Sequence, residues 1–123
     1  MSKRIRIKAG AVERMAILNN SPMAEALVEA LPIEASANRW GDEIYFAVSL
    51  KQAGGEKRNV VDRGDIAFWP PGSALCIFFG PTPVSKGEEI RPASEVILVG
   101  KIETDPEGFK IIKDHDPVRI EEV

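Results

Sequence analysis

Two apolar runs, residues 65–69 and 74–79, flank Pro70-Pro71-Gly72, and after Asp65 neither contains a charge. Runs of this length and aromatic content predict strands buried on both faces, and the prolines and glycine between them predict a corner. Nearer the N-terminus the pattern is strict alternation. Ile5 and Ile7 lie between Arg4, Arg6 and Lys8, and a second run over 12–18 follows Gly10. That predicts a hairpin turning at Gly10, apolar on one side and solvated on the other.

The period then changes. Ala24, Leu27, Val28 and Leu31 recur at i, i+3, i+4 and i+7, the stripe of an amphipathic helix over 22–31. Ser21 is suited to cap its orphan amides, Pro22 suits the first helical position, and Pro32 stops it. Residues 33–38 fit more than one element. Ile44, Phe46 and Val48 alternate through a strand over 43–50. Beyond the polar loop 52–57, a short strand over 59–62 precedes the turn at Arg63-Gly64. Pro- and Gly-rich residues 80–92 read as an extended surface connection. A buried strand over 94–102, a short helix over 106–113 facing inward through Phe109 and Ile112, and a closing strand over 118–123 complete the chain. Short strands with two helices predict a mainly β fold, an antiparallel barrel or sandwich whose open ends the helices cover.

At 123 residues this is one domain, 1–123, large enough to bury a core without disulfide staples. The single cysteine, Cys76, excludes an internal disulfide, and the N-terminus has no signal-peptide pattern, so a cytoplasmic home is the expectation. No apolar run is long enough for a membrane helix. The net charge of −3 is spread along the chain, which argues against nucleic acid as a partner.

Candidate chemistry is sparse. Asn38-Arg39-Trp40-Gly41-Asp42-Glu43 gathers a cation, an indole and two carboxylates at a turn, and Trp69-Pro70-Pro71-Gly72 is a second aromatic corner. If the corners meet, Trp40 and Trp69 provide apolar contact, Arg39 sits at the rim to orient a carbonyl or carboxylate, and Phe79 forms the floor, with Tyr45 a further candidate ligand-binding residue. The ordinary alternatives are that Trp40 covers the barrel end, that Arg39 pairs with Asp42 or Glu43 at the surface, and that the prolines only make a turn. Cys76 lies in an apolar run, where a buried inert thiol is expected, and His115 lies in a polar turn, so neither a nucleophile nor a metal site is expected. In a strand, neighbours point to opposite faces, so Asp42-Glu43 is not set up as an acid/base couple. No cofactor is implied.

The order of these elements resembles the cyclophilins. Residues 5–9, 12–18 and 22–31 look like the opening two strands and helix of that family. Residues 64–68 look like its Gly-x-Leu-x-Met strand, 73–79 like Ser-Gln-Phe-Phe-Ile, and 96–102 like His-Val-Val-Phe-Gly-Lys-Val. More closely, Trp40-Gly-x-x-Ile-Tyr-Phe46, Trp69-Pro-Pro-Gly-x-Ala-Leu-Cys76 and Phe78-Phe-Gly-x-Thr-Pro83 resemble small prokaryotic cyclophilin-like proteins of unknown function. The resemblance implies a closed eight-stranded antiparallel barrel. It also implies what is missing. Cyclophilins turn the prolyl bond with an arginine that hydrogen-bonds the prolyl nitrogen. The strand resembling their Phe-His-Arg-Ile reads Glu43-Ile44-Tyr45-Phe46 instead, and Val96 stands where the family has histidine. Of the pocket residues only Phe79 has a counterpart.

The expected function is therefore binding of a small molecule or peptide segment in an aromatic cleft, without efficient isomerase chemistry and with no catalytic residue assigned. One alternative is a weak peptidyl-prolyl isomerase. Another is an interaction subunit that forms a homodimer or docks on a partner protein through a sheet edge or the apolar corner.

Overall fold

The computed structural model describes residues 3–123. The opening hairpin pairs β1 (Lys3–Ala9) with β2 (Val12–Leu18) and turns at Gly10, whose φ of +53° is a left-handed conformation that glycine adopts without steric cost. On its polar side, β1 ends in ion pairs such as Arg4 to Glu103 at 2.8 Å and Arg6 to Glu121 at 3.3 Å. On its apolar side, Ile5 and Ile7 are fully buried.

Helix α1 (Pro22–Glu29) begins as its sequence predicts. The Ser21 hydroxyl accepts a hydrogen bond from the Ala24 amide at 3.1 Å, and Pro22 occupies the first turn. The helix ends at Ala30, short of residue 31, and buries Met23, Ala24 and Leu27. The remaining strands are β3 (Ile33–Ser36), β4 (Asn38–Arg39), β5 (Glu43–Ala47), β6 (Lys57–Arg58), β7 (Asp65–Trp69), β8 (Ala74–Phe78), β9 (Val96–Ile102) and β10 (Pro117–Glu122). Short 3-10 turns cover Pro70–Gly72 and Pro106–Ile111. The second of these is the short helix expected over 106–113, wound as 3-10 and ending at Ile111, and it seats Phe109 with no exposure.

All pairing is antiparallel, in the order β3-β10-β1-β2-β9-β7-β8-β5-β4, with β6 added alongside β9. The two ends of that order, β3 and β4, are one bent stretch of chain. At Ala37 the strand stops pairing with β10 and starts pairing with β5; its amide donates to the Asp116 carbonyl and its carbonyl accepts from the His115 amide. Counting β3 and β4 as one strand and leaving β6 aside gives an eight-stranded wall, closed on itself. Residues 33–38, which fit several elements in the sequence, are thus the segment that closes the barrel. Closure removes the free sheet edges on which unwanted strand pairing would start.

The core has two parts. Inside the barrel, Ile44, Phe46, Ile66, Phe68, Leu75 and Ile77 pack with the hairpin, the helix and Phe109. Outside the wall of β7, β8 and β9, a second cluster holds Val61, Ala67, Cys76, Phe78, Ile90 and Val96. The unbroken apolar runs at 65–69 and 74–79 follow from this, because both faces of these strands are covered. The cover is the 80–95 connection. There the Ser85 Oγ accepts from the Thr82 amide at 2.9 Å and the Arg91 amide at 3.0 Å, and Val61 and Ile90 form a β-bridge.

Candidate functional site

The pleat of β5 turns Ile44 and Phe46 into the barrel, so Glu43 and Tyr45 face outward. On neighbouring strands the same alternation turns Cys76, Trp69 and Val96 outward as well. Trp40 enters from the β4–β5 turn, and Pro92 and Ala93 of the 80–95 connection close the far side. Together these side chains enclose a cleft of about 230 Å³ on the barrel's outer face. Three of the aromatic residues singled out in the sequence, Trp40, Tyr45 and Trp69, meet there.

Trp69 is held at both edges. Its Nε1 donates to the Ser94 Oγ at 2.7 Å, which ties the indole to the covering connection. Its six-membered ring lies over Gly72, where an added Cβ would come within 2.6 Å of Cζ3. The glycine of the Pro-Pro-Gly corner therefore leaves room for the indole. Ser73 completes the corner in a left-handed conformation (φ 45°), its hydroxyl donating to the Val48 and Leu50 carbonyls at 3.0 and 3.1 Å. Among the described residues the cis X-Pro bond is Leu31–Pro32, away from this corner.

Glu43, expected from the sequence as at most a surface partner of Arg39, instead lines the cleft. It is 4% exposed, and its Oε1 has no hydrogen-bond partner. The Cys76 thiol lines the same cleft and is the polar neighbour that favours the ionised form of Glu43. Among the described residues no lysine or arginine nitrogen lies within 4.0 Å of it. Burial, offset in part by the thiol, pushes the Glu43 carboxyl up to about 7. Burial and the neighbouring carboxylate likewise push the Cys76 thiol well above its ordinary range, as expected of an inert buried cysteine. A signal for Glu43 was present in the sequence. With Ile44 and Phe46 inward, Glu43 must share a face with Tyr45, and the uninterrupted β8 run implies that this face is buried too.

Arg39 and Phe79 stand elsewhere. Phe79 has no exposure and points into the barrel, its ring centre 6.2 Å from that of Phe109, so it is not the floor of the cleft. Above it lies the Arg39 guanidinium, 5.0 Å from the ring centre. Nη1 donates to the Lys110 and Ile112 carbonyls at 2.7 and 3.0 Å, Nε to the Gly41 carbonyl, and Nη2 pairs with Asp42 at 3.1 Å. Arg39 thus clamps the closing strand to the 106–111 turn. Its direction follows from register: on β4 it sits opposite Ile44, an inward position, while the flanking Trp40 goes to the outer face. His115 lies in the turn beneath this clamp, with φ 75°, away from the cleft.

A closed antiparallel wall with an aromatic cleft on its outer surface defines a cyclophilin-type barrel. The chain belongs to the cyclophilin-like family, whose model matches residues 3–121. It is similar to a hypothetical protein from Archaeoglobus fulgidus known from its solution structure. The two are 41% identical with a TM-score of 0.82, over 99% of this chain and 95% of that one. It also shares its fold with McbB, solved in complex with tryptophan, at 17% identity and a TM-score of 0.69; 96% of this chain corresponds to 44% of McbB. No curated protein matches. No helix among the described residues is long and apolar enough to cross a membrane.

Proposed function

We propose that this chain is a binding domain of the cytoplasm that receives a small ligand, or a single side chain of a peptide segment, in the outer cleft and does not efficiently isomerise prolyl bonds. The observation that supports this reading is the convergence of Trp40, Tyr45 and Trp69 around a preformed, mostly apolar hollow with one polar group at its base. Its volume of about 230 Å³ fits one ring or a few carbons rather than a length of peptide, being larger than the ~150 Å³ engineered cavity that holds benzene.

The case against isomerisation rests on what occupies the cleft. The barrier to prolyl rotation is ~18–20 kcal/mol, and cyclophilins lower it with a guanidinium at the prolyl nitrogen. Here Tyr45 and Val96 occupy the positions that resemble that arginine and the family's histidine, and both line the cleft. Arg39, the nearest substitute in sequence, spends its donors on backbone carbonyls at the barrel end. The test is a fragment screen followed through the two indole NH resonances. Compounds that shift both should lose more than about 1 kcal/mol of affinity on Trp69→Ala. Unchanged affinity in that variant would remove Trp69 from the site.

A further inference from the structure

An ionised carboxylate with an unpartnered oxygen is costly among indoles unless a positive charge or hydrogen-bond donors meet it. At Glu43 the protein supplies one thiol and no cation: Arg39 is turned to the far side of the strand, and Glu43 joins no ion pair among the described residues. The rest of the cleft has the complementary property. The faces of tryptophan and tyrosine rings carry negative quadrupole potential and attract cations, more strongly once water is excluded. Two indoles, a phenol and a buried carboxyl around one hollow therefore describe a site that is short of one positive charge.

From this we infer that the cleft takes a small organic ammonium ion, its positive centre against the Glu43 carboxylate and its alkyl groups against Trp40, Tyr45 and Trp69. The inference rests on the cleft being a ligand site, and adds the chemical class of its ligand. An inorganic cation fits less well. It needs several oxygen donors, and no group of three acidic, histidine or cysteine side chains is placed to hold a metal among the described residues. A methylated or alkylated ammonium instead uses the apolar walls, and its charge is diffuse enough to leave water for an aromatic surface.

The test compares two probes of the same shape on the full chain, choline and its uncharged carbon isostere 3,3-dimethylbutan-1-ol, titrated near pH 8 and followed by the indole resonances. Choline is expected to bind the unmodified protein at least about tenfold more tightly than the alcohol. The Glu43→Gln variant should lose that preference, binding choline no more tightly than the alcohol. Its amide spectrum reports whether it has folded, and the comparison on the unmodified protein needs no variant. Equal affinities for the two probes, or binding of the alcohol alone, would overturn the ammonium assignment and leave the cleft as a neutral-ligand site. A preference for choline that survives Glu43→Gln would also overturn it. If neither probe moves an indole resonance at millimolar excess, the ammonium proposal fails, while the cleft reading stands or falls on the fragment screen.

Discussion

The Arg39 guanidinium lies 5.0 Å above the Phe79 ring, so a residue expected at the rim of the cleft instead closes the barrel end. Its three nitrogens reach three backbone carbonyls and the Asp42 carboxylate. Such donors differ from those of an exposed ion pair, because the carbonyls of residues 110 and 112 lose their side-chain partner when the guanidinium is removed.

Arg39→Ala should accordingly destabilise the fold by about 2–3 kcal/mol, as expected for charge-assisted hydrogen bonds to partly buried acceptors. Lysine should not restore it, since one ammonium cannot reproduce the fork. Urea unfolding measures both. Ligands of the cleft should bind Arg39→Ala as they bind the unmodified protein, and a large loss of affinity would show that the guanidinium acts in the site after all.

Glu43 makes stability depend on pH. Its carboxyl rises from an ordinary 4.5 to about 7 on folding, so between these values the native state holds a proton that the unfolded chain has released. More protons bound in the native state mean that stability falls as pH rises. The contribution is fully present below pH 4.5 and is lost by about pH 7, a change of roughly 3 kcal/mol. Glu43→Gln should flatten that part of the profile and be the more stable protein at about pH 8. Denaturant midpoints measured across this range check the sign; a profile rising through it would contradict the burial of an unpartnered carboxyl.

Gly72→Ala tests whether the corner positions the indole. The new methyl group would come within 2.6 Å of the Trp69 ring, so the ring must move or the corner must open. A cost of about 1–3 kcal/mol is expected from the overpacking, with a shifted Trp69 emission spectrum and weaker binding in the cleft. Unaltered fluorescence and stability would mean that the corner yields without moving the indole.

A protease-coupled assay on a proline tetrapeptide should show no acceleration above the uncatalysed rate. Activity that persisted in Arg39→Ala would point to chemistry within the cleft. Activity lost with Arg39 would mean that the clamp opens in solution.

Local patterning in the chain already specified the hairpin at Gly10, the capped start of α1, the corner at Pro70-Pro71-Gly72 and the burial of Phe109. Each depends on residues near one another in sequence: alternation, a cap, a turn former. The order of the motifs made the barrel legible, but the meeting of Trp40 and Trp69 was only a condition in the sequence, since it needs two corners far apart in the chain to come together. Which way Arg39, Phe79 and Glu43 face was not legible. That depends on register across strands far apart in the chain: β4 against β5 sends Arg39 toward the 106–111 turn, and β5 beside β8 buries Glu43 under a connection supplied by residues 80–95. A side chain's environment is made by its neighbours in space, and a closed barrel draws those neighbours from the whole length of the chain.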